Sequence, residues 1–211
     1  MKTINFVMLA KSKKYYNYCV AGIDSKSGEW IRLVSDNKDI ACAITQEQLA
    51  YENGECAKLL DEMEVKVERD PSNPPQTENW LLVSEKPQKI GELSLSEALR
   101  IHQIEEPEYI FGDSDDRIKK DLASKMKNSL ALIEVSDFYI TENVGGKVKG
   151  KFTYNGHSYN RISVTDPQLF DISPGLIFKN ALIVVSLAPP YYEYSYKLVA
   201  AVYGLDKPRV E

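Results

Sequence analysis

The sequence predicts a mainly β protein with a few helices (α+β), arranged as two small barrels with helices between them. Three observations lead there. Short apolar or alternating segments of strand length recur along the chain. Turn residues separate them, at Ser25-Lys26-Ser27-Gly28, Gly145-Gly146 and Asn155-Gly156. The period becomes helical only mid-chain, so about five strands precede that stretch and about five follow. One larger barrel or sandwich is the alternative architecture.

Thr3–Ala10 is a mostly apolar run and reads as a strand buried on both faces. Cys19–Asp24 is a second strand and Glu29–Ser35 a third. In the third, Ile31 and Leu33 share one face and are expected to face the core. Trp30, Arg32 and Val34 share the other, which leaves Trp30 and Arg32 on the open side. Thr45–Tyr51 reads as a short helix capped by Thr45. Leu60–Arg69 alternates as a half-buried strand, residues 70–75 form a proline-rich loop, and residues 78–84 form a further strand.

From Ser94 the apolar spacing is helical, and Ser94 with Glu97 makes a capping box. A second helix is expected over Ser114–Ser129, with Ile118, Leu122 and Met126 on one side. Leu130–Thr141, Val148–Tyr154, His157–Val164, Ala181–Leu187 and Tyr194–Tyr203 read as strands. Thr165-Asp166-Pro167 begins a loop or short helix, with Asp166 as cap and Pro167 at the first helical position. The expected division is 1–90 for the first barrel, 91–128 for a helical connector and 129–211 for the second barrel.

Of the 211 residues 43% are apolar and 27% charged, which supports a packed core and excludes a disordered chain. The net charge of −5 argues against non-specific duplex binding, which needs a broad basic surface, but permits a local basic groove. Thirteen tyrosines against six phenylalanines favour aromatic faces that also carry a polar handle. Cys19, Cys42 and Cys56 form no CxxC pair and read as free thiols of a reducing compartment. No apolar run approaches the ~18 residues of a membrane helix, and the run to Ala10 lacks a signal-peptide pattern, so a cytoplasmic protein without membrane contact is expected.

Catalytic signals are weak. His102 and His157 are far apart, with no HExxH and no close Cys/His cluster, so no metal and no cofactor is expected. Cys19 reads as a structural thiol unless the nearby lysines activate it. Gly145-Gly146-Lys147 and Gly150-Lys151 match a phosphate loop only superficially, since Val148 and Phe152 stand where Ser or Thr is required. The acidic pairs fit helix starts and strand rims.

The strongest constellation is basic and aromatic. Lys11, Lys13 and Lys14 run into Tyr15, Tyr16 and Tyr18, with Trp30 and Arg32 further on. Ammonium groups track phosphates, aromatic faces stack bases, and a guanidinium grips a phosphate or base edge. A solvated basic loop beside an amphipathic strand is the plain alternative. Gln76-x-Glu78-Asn79-Trp80 is a second polar cluster, suited either to ordering its loop or to bonding a base or ribose.

Ser12-x-Lys14, Cys19-Val20-Ala21-Gly22 and Gly28-x-Trp30-Ile31-Arg32-Leu33-Val34-Ser35 together resemble the opening of the dual OB-containing domain family. Gln76-x-Glu78-Asn79, Thr165-Asp166, Ser186-Leu187 and Tyr196-Lys197-Leu198-Val199-Ala200 extend the resemblance over nearly the whole chain. In that family a proline often follows the Trp-x-Arg pair, where this chain has Leu33. The resemblance implies two OB-like barrels and a nucleic-acid-sensing role in bacterial conflict or defence. The expected function is thus a non-catalytic module that binds single-stranded or otherwise accessible nucleic acid. Its expected contacts are Ser12, Lys13, Lys14, Tyr15, Tyr16, Trp30, Arg32, Gln76, Glu78, Asn79 and Lys197. Two alternatives stay open. One is a nucleotide- or small-molecule-processing enzyme using Cys19, Lys14, Arg32 and Glu78 in a pocket between the barrels. The other is a protein-interaction module using Tyr191–Tyr196.

Overall fold

The computed structural model describes residues 1–70, 74–83 and 86–204, together with the backbone of 209–210. The chain divides into two compact units, Met1–Ser72 with Glu78–Gln103, and Asn73–Thr77 with Ile104–Glu211. Both are mainly β.

The first unit contains β1 (Lys2–Lys14), β2 (Asn17–Asp24), β3 (Trp30–Val34), β4 (Asp61–Arg69), β5 (Asn79–Leu82) and β6 (Gln88–Glu92). Their order in the sheet is β1-β2-β3-β5-β4-β6, and β1 also pairs with β4. That extra pairing closes a barrel of five strands and leaves β6 against β4. β3 and β5 run parallel; the other neighbours are antiparallel. β1 reaches both partners because it bends at a bulge between Met8 and Ala10. Its first half pairs with β4 and its second half with β2. Alternation then selects the interior: Ile4, Phe6 and Met8 of β1 pack with Val20, Ile31, Leu33, Met63, Val65 and Val67. Burying each such side chain contributes roughly 1.5–3 kcal/mol.

After β6 comes α1 (Leu95–Ile101), which begins as the sequence predicts: Ser94 and Glu97 form the capping box. The Thr45 turn is a single 3₁₀ turn, Glu47–Leu49, where Thr45 and Gln48 bond each other's backbone N–H groups.

The second unit holds β7 (Arg117–Lys119), α2 (Lys120–Ala123), β8 (Leu130–Val144), β9 (Lys147–Tyr154), β10 (His157–Val164), β11 (Leu176–Leu187), β12 (Tyr194–Gly204) and β13 (Arg209–Val210). The sheet order is β13-β11-β8-β9-β10-β12-β7, with an added pairing of β11 to β12. The pairings β8-β9-β10-β12-β11-β8 therefore repeat the circuit of the first unit, again with a parallel third and fifth strand, β10 and β12. Its core gathers Ile133, Phe138, Phe152, Tyr159, Phe178 and Ile183. Asn155-Gly156 turns at positive φ on both residues, as the sequence signal requires. Asp166 caps the 3₁₀ turn at Pro167 and also accepts from the Val202 N–H, which staples this turn to β12.

The second expected helix, Ser114–Ser129, does not form. Arg117–Lys119 is an edge strand on β12, and only Lys120–Ala123 is helical. Lys197 holds the lead-in instead: its Nζ donates to Asp113 O (2.6 Å) and Asp115 O (2.5 Å). Ile118 is buried with Ala123 and Leu187. Tertiary partners thus override a local helical pattern. Of the expected proline-rich loop, residues 71–73 lie outside the described residues, as does Ser84 of the expected 78–84 strand.

Candidate nucleic-acid interface

The β1–β2 hairpin carries the basic and aromatic residues to its tip. Lys13 pairs with Tyr18 and Lys14 with Asn17, leaving Tyr15 and Tyr16 as a two-residue turn. Tyr15 adopts φ 53°, a conformation that bulky residues rarely take. Both phenols then face solvent: Tyr15 is 75% and Tyr16 93% exposed. Lys13 donates to Tyr16 O (3.3 Å), and its ammonium lies 4.8 Å from the Tyr18 ring centre. Lys11 lies 4.7 Å from the same ring and donates to Ala57 O (3.0 Å). Lys14 is half-buried and spends its ammonium on Ala41 O (2.6 Å). Ser12 is buried.

Trp30 and Arg32 are not on an open side. Every residue of β3 is buried, with Trp30 at 8% and Arg32 at 3% exposure. The alternation is as expected, since Ile31 and Leu33 face the core, but the opposite face is covered too. The His102 ring packs edge-on against the Trp30 indole at 4.8 Å, held there by an Nδ1 donation to Gly28 O (2.8 Å). Arg32 donates from Nε (3.1 Å) and Nη2 (3.0 Å) to one carboxylate oxygen of Glu78. The indole and guanidinium are thus packing and ion-pair groups, and a base cannot reach either without opening the unit. Glu78 and Asn79 are corrected with them. Both are buried, and Asn79 donates toward Asp70 at 3.4 Å.

Gln76 belongs to the second unit and donates to Leu187 O (3.4 Å). Lys197 is 1% exposed, lies 5.1 Å from the Tyr159 ring centre and holds the 113–115 carbonyls. Burial pulls its ammonium down to about 8, against the pull of Asp113, Asp115 and Asp116. It is a structural clamp. Of the expected set, only Lys13, Tyr15 and Tyr16 come together on an accessible surface.

One other buried charge shapes the first unit. Asp61 receives bonds from Tyr51 (2.8 Å), the Lys58 N–H (2.9 Å) and Lys89 (2.5 Å). Burial pushes its carboxyl up, but these bonds and the Lys89 charge hold it below its ordinary value.

Sequence reading missed a second basic feature. On β9 the inward residues are Val148, Gly150, Phe152 and Tyr154, and the outward ones are Lys147, Lys149, Lys151 and Thr153. The signal was the plain alternation of lysine with apolar or small residues between Lys147 and Phe152. Among the described residues no group of three or more His, Cys, Asp or Glu is placed to hold a metal, and no helix is long and apolar enough to cross a membrane.

Two closed five-strand circuits with a parallel third and fifth strand define an OB-type double-barrel module. The chain belongs to the dual OB-containing domain family, whose model matches residues 4–202. No curated protein matches it. A solved structure described as "Structural mimicry for functional antagonism" is 8% identical over 96% of this chain and 92% of that one, at a TM-score of 0.39. Likeness at that level carries no argument about function.

Proposed function

We propose that this protein is a non-catalytic nucleic-acid-binding module that engages single strands or accessible ends through the β1–β2 hairpin. The observation that carries the reading is the pair of exposed phenols at the hairpin tip, Tyr15 and Tyr16, beside the Lys13 ammonium. Aromatic faces stack bases without regard to sequence, and the loop between the first two strands of an OB-type barrel is a common contact for oligonucleotides. Family membership supports the same reading. A bacterial defence or conflict setting is part of the proposal and rests on the family resemblance alone.

Fluorescence polarisation with labelled single-stranded DNA and RNA at low salt tests it. Replacing both Tyr15 and Tyr16 with alanine removes about 1–3 kcal/mol per stacked base, so binding should weaken at least about fivefold. Failure of the native protein to bind any oligonucleotide, or unchanged binding by the double variant, would overturn it.

A protein-interaction reading is favoured by one observation. Tyr191 and Tyr192, in the β11–β12 connection, are both exposed and meet edge to face at 4.6 Å. Tyr192 also takes a positive φ of 53°. Serine at both positions should leave oligonucleotide binding intact if this pair serves a protein partner.

A further inference from the structure

We propose that the outer face of β8, β9 and β10 is a second binding surface of this protein, made for one extended strand of nucleic acid. The inference rests on the nucleic-acid reading above but uses a different barrel and different residues.

The first observation is a row of charge. β9 alternates without interruption, so Lys147, Lys149 and Lys151 stand on one face at ~6.8 Å intervals, two residues of strand apart. None of the three has a carboxylate within ion-pair distance among the described residues. Lys149 Nζ is held by Ser163 Oγ at 2.7 Å, and Lys151 lies 4.6 Å from the centre of the Tyr139 ring. Two acids nearby are already matched: Glu142 with Arg161 (3.2 Å) and Asp137 with Lys179 (2.5 Å). The row therefore keeps its positive charge in a protein of net charge −5. A polyanion is the ligand that such a row fits.

The second observation is what lies beside the row. A groove of about 510 Å³ runs over the same three strands, lined among others by Tyr139, Lys151, Thr153, Ser158 and Asn160, with the Asp137 carboxylate, paired to Lys179, also in its wall. Hydroxyl and amide groups of this kind bond base edges and sugar hydroxyls, and a tyrosine adds a stacking face. The groove is bounded. An adjoining hollow that shares Ser136 and Asn155 carries Glu105, Glu106 and Glu134. A second phosphate backbone would meet those carboxylates. The basic surface is thus one strand wide, which favours a single strand over a duplex.

The third observation is accessibility. The equivalent outward face of the first barrel, with Ala21, Ile23, Trp30 and Arg32, is buried. On the second barrel Lys147, Lys151, Thr153, Ser158 and Asn160 are exposed.

The test compares three full-length proteins: native, Lys147→Gln/Lys149→Gln/Lys151→Gln, and Tyr15→Ala/Tyr16→Ala. Each is titrated with labelled 12-residue oligo-dT, oligo-U and a duplex of equal length over a range of salt. Thermal unfolding checks that the variants fold. Each lysine on a single-strand phosphate adds about 0.7 to the slope of log affinity against log salt, so the lysine variant should lose about 2 from that slope. It should also bind at least tenfold more weakly at low salt, and the native protein should prefer the single strand. If the lysine variant loses binding and the tyrosine variant keeps it, the second surface stands and the hairpin reading fails. If the lysine variant binds with unchanged affinity and slope while the tyrosine variant fails, the second surface is overturned and the hairpin reading stands. A native preference for duplex, or no binding at all, overturns the proposal.

Discussion

Phe6 and Gly22 in the first barrel, and Phe138 and Gly150 in the second, meet the same geometric demand. In each barrel the first strand bends at a bulge, after Met8 in one and after Ile140 in the other. Just before the bend, a glycine of the second strand sits opposite, Gly22 against Met8 and Gly150 against Ile140. The phenylalanine two residues earlier lays its ring over that glycine. A side chain there would strike the ring and a backbone carbonyl. The same device thus recurs with almost no shared sequence around it. The barrels differ on the outside. One hides its outward strand face under His102 and the Glu78 segment; the other leaves that face open and lines it with lysines. The interior device specifies the fold, and the covering decides which barrel can present its strands to a ligand.

The sharpest break of the comparison is at the ion pairs. Arg32–Glu78 is buried on both sides, whereas Arg161–Glu142 is mostly exposed. Removing one partner of a buried pair strands a charge, so Glu78→Gln should cost about 3–5 kcal/mol in urea unfolding. Glu142→Gln should cost less than about 1 kcal/mol. Equal losses would show that the first barrel's face is not sealed.

The glycines come next. A Cβ on Gly22 would stand 1.9 Å from the Val7 carbonyl oxygen, which cannot move without parting β1 from β2. A Cβ on Gly150 would stand 2.6 Å from the Phe138 ring and 3.0 Å from the Tyr139 oxygen. Gly22→Ala should therefore destabilise by about 3 kcal/mol or more, and Gly150→Ala by about 1–2 kcal/mol. The reverse order would mean that the two bends are not equivalent.

A further comparison separates the barrels by pH. Lys197 in the second barrel titrates near 8 when folded, against 10.5 when free. Between those values the unfolded chain holds the proton and the folded chain does not, so stability should rise with pH by up to about 3 kcal/mol. Tyr203 and Tyr51, pushed up by burial, oppose this above pH 10, because only the unfolded phenols ionise there. The rise from pH 8 to 10 should vanish in Lys197→Met. In acid, Asp61 of the first barrel should act with the same sign in a different pH window. Its folded carboxyl titrates below 3.8, so its stabilisation is lost as pH falls through that folded value, and Asp61→Asn should flatten the acid limb.

Much of the fold was legible in the sequence because it was local. Ser94 with Glu97, Asn155-Gly156 and Asp166-Pro167 each fix their own turn or cap within a few residues, and each does so in the structure. Alternation in β3 correctly told Ile31 and Leu33 from Trp30 and Arg32. It could not tell what lies over the second face, because the covering groups, His102 and Glu78, are remote in sequence. The 114–129 helix failed for the same reason: Lys197, far along the chain, ties down the Asp113 and Asp115 carbonyls, and β12 takes Arg117–Lys119 as an edge strand. The lysines of β9 were visible as alternation. They read as a broken phosphate loop only when taken one glycine at a time.

The most direct measurement is a lysine footprint. The native protein is acetylated briefly with and without a saturating single-stranded 12-mer, and each site is quantified by mass spectrometry. Lys147, Lys149 and Lys151 should lose reactivity together when the oligonucleotide is present, while the exposed Lys26, at the opposite end of β2 from the hairpin tip, reacts as before. Unchanged reactivity along β9 under saturation would contradict an open, strand-binding second barrel.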